Sequence, residues 1–415
     1  MKKSSGQLAL SAYWFAIELH WAALLGAALQ AQIARFIAPG FIGSAAAIVG
    51  GVGAGLSIIT QLAAGRASDV ARRRLPFIVV GTLADIVALF AFAVAPSFVA
   101  VVVAFAGVEI AFNIGTGPYQ ALIPDRISKD QQGRASGIMG LYRLVGTACG
   151  LLLAKAFVRQ PGPGVTPHVF TWAMLELAAV ISLVIVIALI VTLRRVSDRD
   201  VEAPAATPVF SPWPSRASFI WLIGSRAFAS GALYLILPFL AFYLRFALHV
   251  RSYIGTSLDL LLLMVGCSLI GTVGAGALGD RMSKKRIILW AFALLAAGAL
   301  SLSAVSEVAP VWFVGIVLGL AWGAYYSVDW ALACNLLPEG RAGALMAVWN
   351  IGASGPQVAS LVLGGLLIDR VGALAGNPGA GYRALFVLIA ALLALASGAL
   401  AFVREPREGM APGTN

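Results

Sequence analysis

The chain has 415 residues, of which 60% are hydrophobic and only 11% are charged. So few polar side chains cannot cover a water-exposed surface, which excludes a soluble globular protein and makes lipid the expected solvent. The net charge of +11 would suggest nucleic-acid binding in a soluble protein, but the basic residues are concentrated in alternate loops between apolar segments. Unbroken apolar stretches of about 20 residues, without strand-type alternation, predict membrane-spanning helices rather than a barrel of strands.

Twelve apolar segments are predicted to cross the membrane. The first six are 8–33, 41–64, 76–95, 97–119, 135–157 and 169–193, and the second six are 217–244, 255–279, 287–305, 311–333, 342–368 and 382–403. The first segment follows a lysine pair, as in a signal peptide, but it is too long and contains Glu18 and His20. We therefore expect it to be retained as the first span.

The only long polar stretch, 194–216, contains four prolines and mixed charges, which resist both helix formation and membrane insertion. It predicts a cytoplasmic linker between an N-terminal six-helix bundle, 1–193, and a C-terminal one, 217–404, followed by a cytoplasmic tail, 405–415. If the N-terminus is cytoplasmic, 20 of the 29 lysines and arginines fall inside. This bias predicts a plasma or inner membrane protein with both termini in the cytoplasm.

Two loop motifs recur in both halves of the chain. The loop 65–74, after the second span, matches 276–286 after the eighth, and their aspartates are 211 residues apart. The segment 133–139, before the fifth span, matches 340–346 before the eleventh at an offset of 207. Two matches at nearly one offset predict a six-plus-six repeat with both halves in the same orientation, and such folds place a solute site between the halves.

The second loop resembles the signature of the major facilitator superfamily, Gly-x-Leu-x-Asp-Arg-x-Gly-Arg/Lys-Arg/Lys. The matching residues are Gly276, Leu278, Asp280, Arg281, Lys284 and Lys285, with Ser283 in place of a glycine. The first loop is a weaker copy, which keeps Gly65, Asp69, Arg73 and Arg74 but has Ala67, Val70 and Arg72 where the pattern has Leu, Arg and Gly. The resemblance implies an all-α integral membrane fold of twelve helices, in which two pseudo-symmetric bundles rock about a central cavity.

Each loop aspartate has a physical use as a helix cap. A carboxylate at one helix end can accept from the free N–H groups at the N-terminus of a facing helix, helped by the helix dipole. We predict that Asp69 caps the eleventh span near Ala342 and that Asp280 caps the fifth near Ala135, closing the cytoplasmic side. The alternative, that these loops are only positive-inside anchors, stays open for 72–74. The predicted gating residues are Gly65, Asp69, Arg73, Gly276, Asp280 and Arg281.

Several charged side chains lie inside predicted spans, where each costs at least about 2.5 to 3.5 kcal/mol without a partner. They are Glu18, His20, Asp85, Glu109, Arg143, Glu176, Arg226 and Asp329. With a rise of about 1.5 Å per residue, four of them lie about 12 to 15 Å from the cytoplasmic ends of their helices. These four are Glu18, Glu109, Arg143 and Arg226.

We expect Glu18 to pair with Arg226, its repeat mate, and Glu109 to pair with Arg143. A carboxylate that becomes neutral when its arginine turns to the solute would couple proton movement to transport, with Glu109 the first candidate carrier and Glu18 the second. Static ion pairs between helices are the alternative.

The remaining charges are assigned more modest roles. Asp85 and Glu176 are expected to be structural, because the third and sixth helices lie outside the cavity in the resembled family. His20 is expected to point away from Glu18, since successive residues are rotated by about 100°. Either a packed or lipid-interface position or a proton relay is open for it.

Aromatic and amide groups on the fourth and tenth spans suit a sugar, because ring faces cover its C–H side and amides bond its hydroxyls. The predicted cavity residues are Tyr119, Gln120, Asn113, Tyr325, Tyr326, Asp329 and Asn350. The segments 117–125 and 325–332 also resemble the branch that contains glycoside and sucrose/proton symporters. Tyr and Trp belts at membrane interfaces are the alternative explanation.

The sequence therefore predicts a monomeric secondary transporter for proton-coupled symport of a sugar or similar polar solute. Export of amphipathic compounds is a first alternative, although the glycine-proline motif of the family's drug/proton antiporters is missing from 137–150. A membrane enzyme or receptor is a second alternative, but no nucleophile elbow, phosphate loop or ligand cluster supports an enzyme. The three cysteines show no paired spacing, so no disulfide, metal or cofactor is expected.

Overall fold

The computed structural model describes residues 3–126, 132–195, 213, 215–279, 281–336 and 342–405. Side chains are described at 12–120, 139–195, 213, 215–279, 281–336, 349, 352, 356 and 358–405. The described residues form fourteen α-helices: α1 (Lys3–Ala23), α2 (Leu29–Phe36), α3 (Ile42–Ala71), α4 (Leu75–Ala93), α5 (Phe98–Arg126), α6 (Gln132–Phe157), α7 (Pro167–Arg195), α8 (Arg216–Tyr234), α9 (Ile236–Phe246), α10 (Tyr253–Gly279), α11 (Lys284–Ala304), α12 (Ala309–Leu336), α13 (Ala342–Leu374) and α14 (Pro378–Ala401).

The helices correspond to the twelve predicted spans, because α1 with α2 forms the first span and α8 with α9 forms the seventh. Among the described residues, 11 helical segments are long and apolar enough to cross a membrane. The remaining predicted span, 342–368, lies within α13. The prediction of an all-helical membrane protein is confirmed over the described residues. We call the chain ends of these helices inner or outer according to the charge-based prediction above.

Packing divides the chain into two compact units. The first contains Met1–Pro204, Leu237–Val265 and Leu361–Tyr382, and the second contains Ala205–Ile236, Gly266–Ser360 and Arg383–Asn415. The first unit thus holds α1 to α7 together with the predicted outer portions of four later helices. The boundaries derived from the sequence repeat, 1–193 and 217–404, remain a prediction.

The first helix of each repeat is interrupted at an equivalent position. Between α1 and α2 the chain forms a π-helical turn at Leu24–Ala28. The repeat mates Glu18 and Arg226 are 208 residues apart, and the same offset places this turn on 232–236, where α8 ends and α9 begins after Leu235. The second break has a local cause, because Pro238 has no N–H to donate to the carbonyl four residues earlier and its ring clashes there. The first break contains no proline. There, the Gln30 side-chain amide donates a hydrogen bond to the Leu25 carbonyl at 2.5 Å.

Glycines set the closest helix contacts in both units. In the first unit, Gly146 and Gly150 of α6 face the backbone of α1, and a methyl group on them would lie 2.4 Å from the Phe15 carbonyl oxygen and 2.3 Å from that of Leu19. In the second unit, a methyl group on Gly323 of α12 would lie 1.9 Å from the α10 backbone. Small residues four apart let membrane helices approach closely enough for van der Waals contact to hold them together.

The loop between α3 and α4 contains a strained residue. Arg72 has φ 50, in the left-handed region, and its N–H donates to the Asp69 carbonyl at 3.2 Å. This position carries glycine in the signature that the loop resembles, which explains why glycine is preferred there. Arg74 lies buried beneath the turn, where it pairs with the Asp69 carboxylate and donates to the Ser68 hydroxyl at 2.7 Å.

We expect Arg72→Gly to stabilise the protein. A left-handed conformation costs an L-residue roughly 1–2 kcal/mol, and the greater freedom of glycine in the unfolded chain offsets about 0.5–1 kcal/mol of this. The net gain should be about 0.5–1 kcal/mol, measured by thermal unfolding in detergent. Arg73→Gly, at the next position, is the control and should give no gain; an equal gain there would contradict the assignment of strain to Arg72.

We expect Gly146→Ala to destabilise the contact between α1 and α6. The added methyl group would overlap the Phe15 carbonyl, and overpacking of this kind costs about 1–3 kcal/mol. Gly140, on the same helix, has open space around its Cβ position. Gly140→Ala should therefore be neutral or slightly stabilising in the same unfolding assay, and two equal losses would refute the packing explanation.

Candidate functional site

The close approach of α1 and α6 brings Glu18 against Arg143. The Arg143 Nε donates to Glu18 Oε1 at 2.6 Å, and the Thr147 hydroxyl lies 3.4 Å from the other carboxylate oxygen. The guanidinium also lies over the Trp14 ring, 5.0 Å from its centroid. The Arg143 side chain is 35% exposed and that of Glu18 is 22% exposed, so this ion pair is only partly buried.

In the second unit, Arg226 of α8 pairs with Asp329 of α12, and both side chains are buried. The Arg226 guanidinium also lies on the face of Trp349, 3.4 Å from the ring centroid. A guanidinium held between a carboxylate and an indole ring is stabilised by a charge-assisted hydrogen bond and by a cation–π contact. Arg226 is therefore held in a buried environment, whereas Arg143 is partly exposed.

The partners of these charges differ from those expected from sequence. We expected Glu18 to pair with Arg226 and Glu109 to pair with Arg143. In the structure Arg143 binds Glu18, and Arg226 binds Asp329. The reason is helix packing, because the glycines of α6 place its polar face directly against α1.

Glu109 lies inside the first unit and is only 9% exposed. Its carboxylate accepts a hydrogen bond from the Asn113 amide at 3.2 Å, and the same amide donates to the Glu109 carbonyl at 2.8 Å. On its other side it covers Gly53 of α3, where a methyl group would lie 3.2 Å from Glu109 Oε1. Over the part of the chain that the structure describes, no lysine or arginine pairs with this carboxylate.

His20 and Asp85 form a pair that sequence reasoning missed. His20 Nδ1 lies 3.4 Å from Asp85 Oδ2, and both side chains are almost completely buried. Neither makes a well-directed hydrogen bond among the described residues. The rings of Trp21 and Phe112 surround the imidazole at centroid distances of 4.9 Å. The expectation that His20 points away from Glu18 is compatible with this placement, since His20 turns toward α4 and meets Asp85.

The predicted cavity residues fall into two groups. Tyr119, Asn113, Tyr325 and Asp329 are buried, and the Tyr119 ring packs against Tyr13 at 4.7 Å and against Trp14 at 5.8 Å. A ring enclosed in this way has no free face for a solute in this conformation. Gln120 is exposed and Tyr326 is 50% exposed. The Asn350 side chain lies outside the described residues.

Five of the six predicted gating residues lie within the described part of the chain. Asp69, 50% exposed, pairs with Arg74 of its own loop, while Arg73, Gly276 and Arg281 are exposed and Gly65 is half-buried. Asp280 lies outside the described residues. Ser283, which replaces the signature glycine, caps the N-terminus of α11 by accepting from the Arg286 N–H at 3.3 Å.

Lys285, assigned to the same signature, has an unexpected role. Its Nζ donates to the carbonyls of Ala401 at 2.6 Å and Val403 at 2.8 Å, at the end of α14. The backbone N–H of Lys285 also donates to the Glu405 carboxylate at 2.6 Å. This signature lysine therefore fastens the C-terminal end of the last helix, a contact for which the sequence contained no local signal.

We expect Asp329→Ala to destabilise the protein strongly. Removing one member of a buried pair leaves Arg226 as an uncompensated charge, which costs about 3–5 kcal/mol. The double variant Arg226→Met with Asp329→Leu should recover most of that loss, because it leaves no charge unpaired. Unfolding of both variants in mixed micelles measures the difference; if the single variant is no less stable than the double one, the pair does not hold this region.

The chain was compared with protein-family models and with solved structures. The model of the Major Facilitator Superfamily matches residues 6–360 and, in a second match, 260–414. A bacterial homologue of the human lysosomal transporter Spinster, in an inward-facing and occupied conformation, superimposes with a TM-score of 0.77 at 15% identity, covering 97% of this chain and 96% of that one.

Two further solved structures share the fold. A bacterial homologue of the iron transporter ferroportin, in an inward-facing state, has a TM-score of 0.70 at 15% identity and covers 97% of this chain and 98% of its own. A nucleoside transporter has a TM-score of 0.70 at 10% identity, with 96% and 99% covered. No curated protein sequence gave a significant match. Because the family model extends over nearly the whole chain and its helices superimpose on transporters of this fold, the chain belongs to the major facilitator superfamily.

Proposed function

We propose that this chain is a proton-coupled secondary transporter of a small polar solute, with Glu109 as its principal proton carrier. The observation that supports this role is the burial of Glu109 beside Asn113, without a basic partner among the described residues. An ionised carboxylate in such surroundings loses its hydration and gains no compensating cation. Glu109 is therefore expected to hold a proton whenever it is enclosed, and to release it when water reaches it.

His20 and Asp85 are proposed as a second proton-holding group. If the pair lost its proton, it would leave one negative charge in a fully buried site, close to the carboxylate of Glu109. Holding one proton between them makes the pair neutral overall. The contact of 3.4 Å includes no well-directed hydrogen bond among the described residues, so it contributes little as a static ion pair.

The exposed ion pair is proposed as the solute contact of the first unit. Glu18 and Arg143, which are partly exposed, place a carboxylate and a guanidinium beside the Thr147 hydroxyl. These groups are suited to bonding hydroxyls or a carboxylate of the solute. Gln120 and Tyr326, both exposed, remain candidate contacts, and a sugar remains the first solute to test. Export of amphipathic compounds remains the alternative.

Family and fold indicate a multi-pass membrane transporter that works by alternating access, rather than an enzyme. The related structures carry names that refer to a lysosomal transporter, an iron transporter and a nucleoside transporter. Identities of 10–15% establish the shared fold and leave the solute open. The proposal for a polar solute therefore rests on the side chains of this chain.

The proposal can be tested in sealed proteoliposomes that contain a pH-sensitive dye. Sugars, organic acids and amphipathic cations are added outside in turn, with empty liposomes as the reference. Proton-coupled symport predicts that one class acidifies the lumen as it enters. Alkalinisation by the same class would indicate exchange for protons, and no response from any class would contradict proton coupling.

For the active solute, we expect Glu109→Gln to reduce solute-driven proton movement to the rate of empty liposomes. Glutamine keeps the shape and the contact with Asn113 but cannot carry a proton. Exchange of labelled for unlabelled solute should persist, because it needs no net proton transfer. Glu176→Gln is the matched control, since Glu176 lies on an exposed face of α7. Unchanged coupling in Glu109→Gln would refute the assignment.

A further inference from the structure

The N-terminus of α3 is capped by a side chain from the far end of the chain. Asp369, five residues before the end of α13, accepts from the Gly43 N–H at 3.0 Å through Oδ1 and from the Ser44 N–H at 2.6 Å through Oδ2. Because α3 begins at Ile42, both N–H groups lack an acceptor within their own helix. The carboxylate therefore satisfies two free donors and meets the positive end of the helix dipole.

The backbones of the two helices are in direct contact beneath this cap. A methyl group on Gly365 of α13 would lie 2.2 Å from the Gly43 carbonyl oxygen and 2.6 Å from Ala47 Cβ. A methyl group on Gly43 would lie 2.5 Å from the Gly365 carbonyl oxygen. No side chain separates α3 from α13 here, so the cap and the glycine contact form together and must be lost together if the helices separate.

Other polar contacts fasten the same predicted outer face. Lys155 of α6 pairs with Asp259 of α10. The Gln160 side chain donates to the Arg251 carbonyl at 2.6 Å and accepts from the Ile254 N–H at 3.3 Å. These three contacts each join the N-terminal six helices to a segment beyond α8. Lys155 and Asp259 are well exposed, so water weakens their pairing more than it weakens the part-buried cap at Asp369.

We propose that Asp369 is a latch that holds the outer ends of α3 and α13 together, and that opening toward the outer side requires its carboxylate to leave the α3 N-terminus. This inference rests on the transport function proposed above. The cap itself is a pair of hydrogen bonds, and at the predicted membrane surface water can replace both partners when it breaks. The interaction is the one predicted from sequence for Asp69 at the inner face, but here it is made by the opposite helix at the opposite face.

The latch can be tested by electron spin resonance distance measurements on purified protein in lipid nanodiscs. The native cysteines are replaced by serine, and spin labels are attached at Gly40→Cys and Leu374→Cys, two exposed positions that flank the latched ends. We expect one short distance in the parent protein. In Asp369→Asn, loss of a charged acceptor should lower the ratio of short to long distances by about tenfold.

Two variants complete the test. Arg370→Gln removes the adjacent exposed charge and should leave the distances unchanged; an equal shift there would overturn the latch. Ser44→Pro removes one donor from the other side at a position in the first helical turn where proline is tolerated. It should also lengthen the distances, and combining it with Asp369→Asn should add little, because both act on one interaction.

Parent-like distances in both Asp369→Asn and Ser44→Pro would overturn the proposal. If Asp369→Asn does not fold, Ser44→Pro decides alone. The measurement needs no transported solute, so its failure is distinguishable from failure of the proposed proton coupling.

Discussion

The cost of placing a charge among apolar helices decides where the polar groups of this protein lie. An ionised side chain deep in a membrane bundle needs an opposite charge, a proton or water. Arg226 has Asp329 and the Trp349 face, and Glu18 has Arg143. Glu109 has an amide but no basic partner among the described residues, and the compensation proposed for it is a proton.

Helix proximity then decides which charges can meet. In the α1–α6 contact, Gly146 and Gly150 allow the backbones to approach closely, and Glu18 and Arg143 form an ion pair between the same two helices. The α3–α13 contact at the outer face follows the same rule, with Gly43 and Gly365 in the seam and Asp369 at its end. The positions of the glycines therefore determine which helices come into close contact, and so which charged residues can meet.

Features that depend on local sequence could be predicted, whereas features that depend on which helices touch could not. The spans depend on local hydrophobicity, and each of the twelve has its helix. Pairing depends on helix rotation and on which helices touch, so the expected partners of Glu18 and Glu109 were wrong: Glu18 binds Arg143, and Glu109 has no basic partner among the described residues. Pro238 could have signalled the break before α9, and a glycine at 72 would have signalled the left-handed turn that Arg72 adopts. The π-helical turn at Leu24–Ala28 has no comparable sequence signal.

The first helices of the two repeats are interrupted at equivalent positions, but the charged residues at equivalent positions on them have opposite signs. Both first helices are interrupted about two turns after the charged residue, at Leu24–Ala28 after Glu18 and at Leu235 after Arg226. Interrupted helices are common at the binding sites of transporters, because they free backbone groups and allow a helix to bend. Since the charges at equivalent positions are opposite, each repeat must supply its own counter-ion from a different helix, Arg143 from α6 and Asp329 from α12. A repeated backbone thus carries different sets of charged groups, with a partly exposed pair in the first unit and a buried pair in the second.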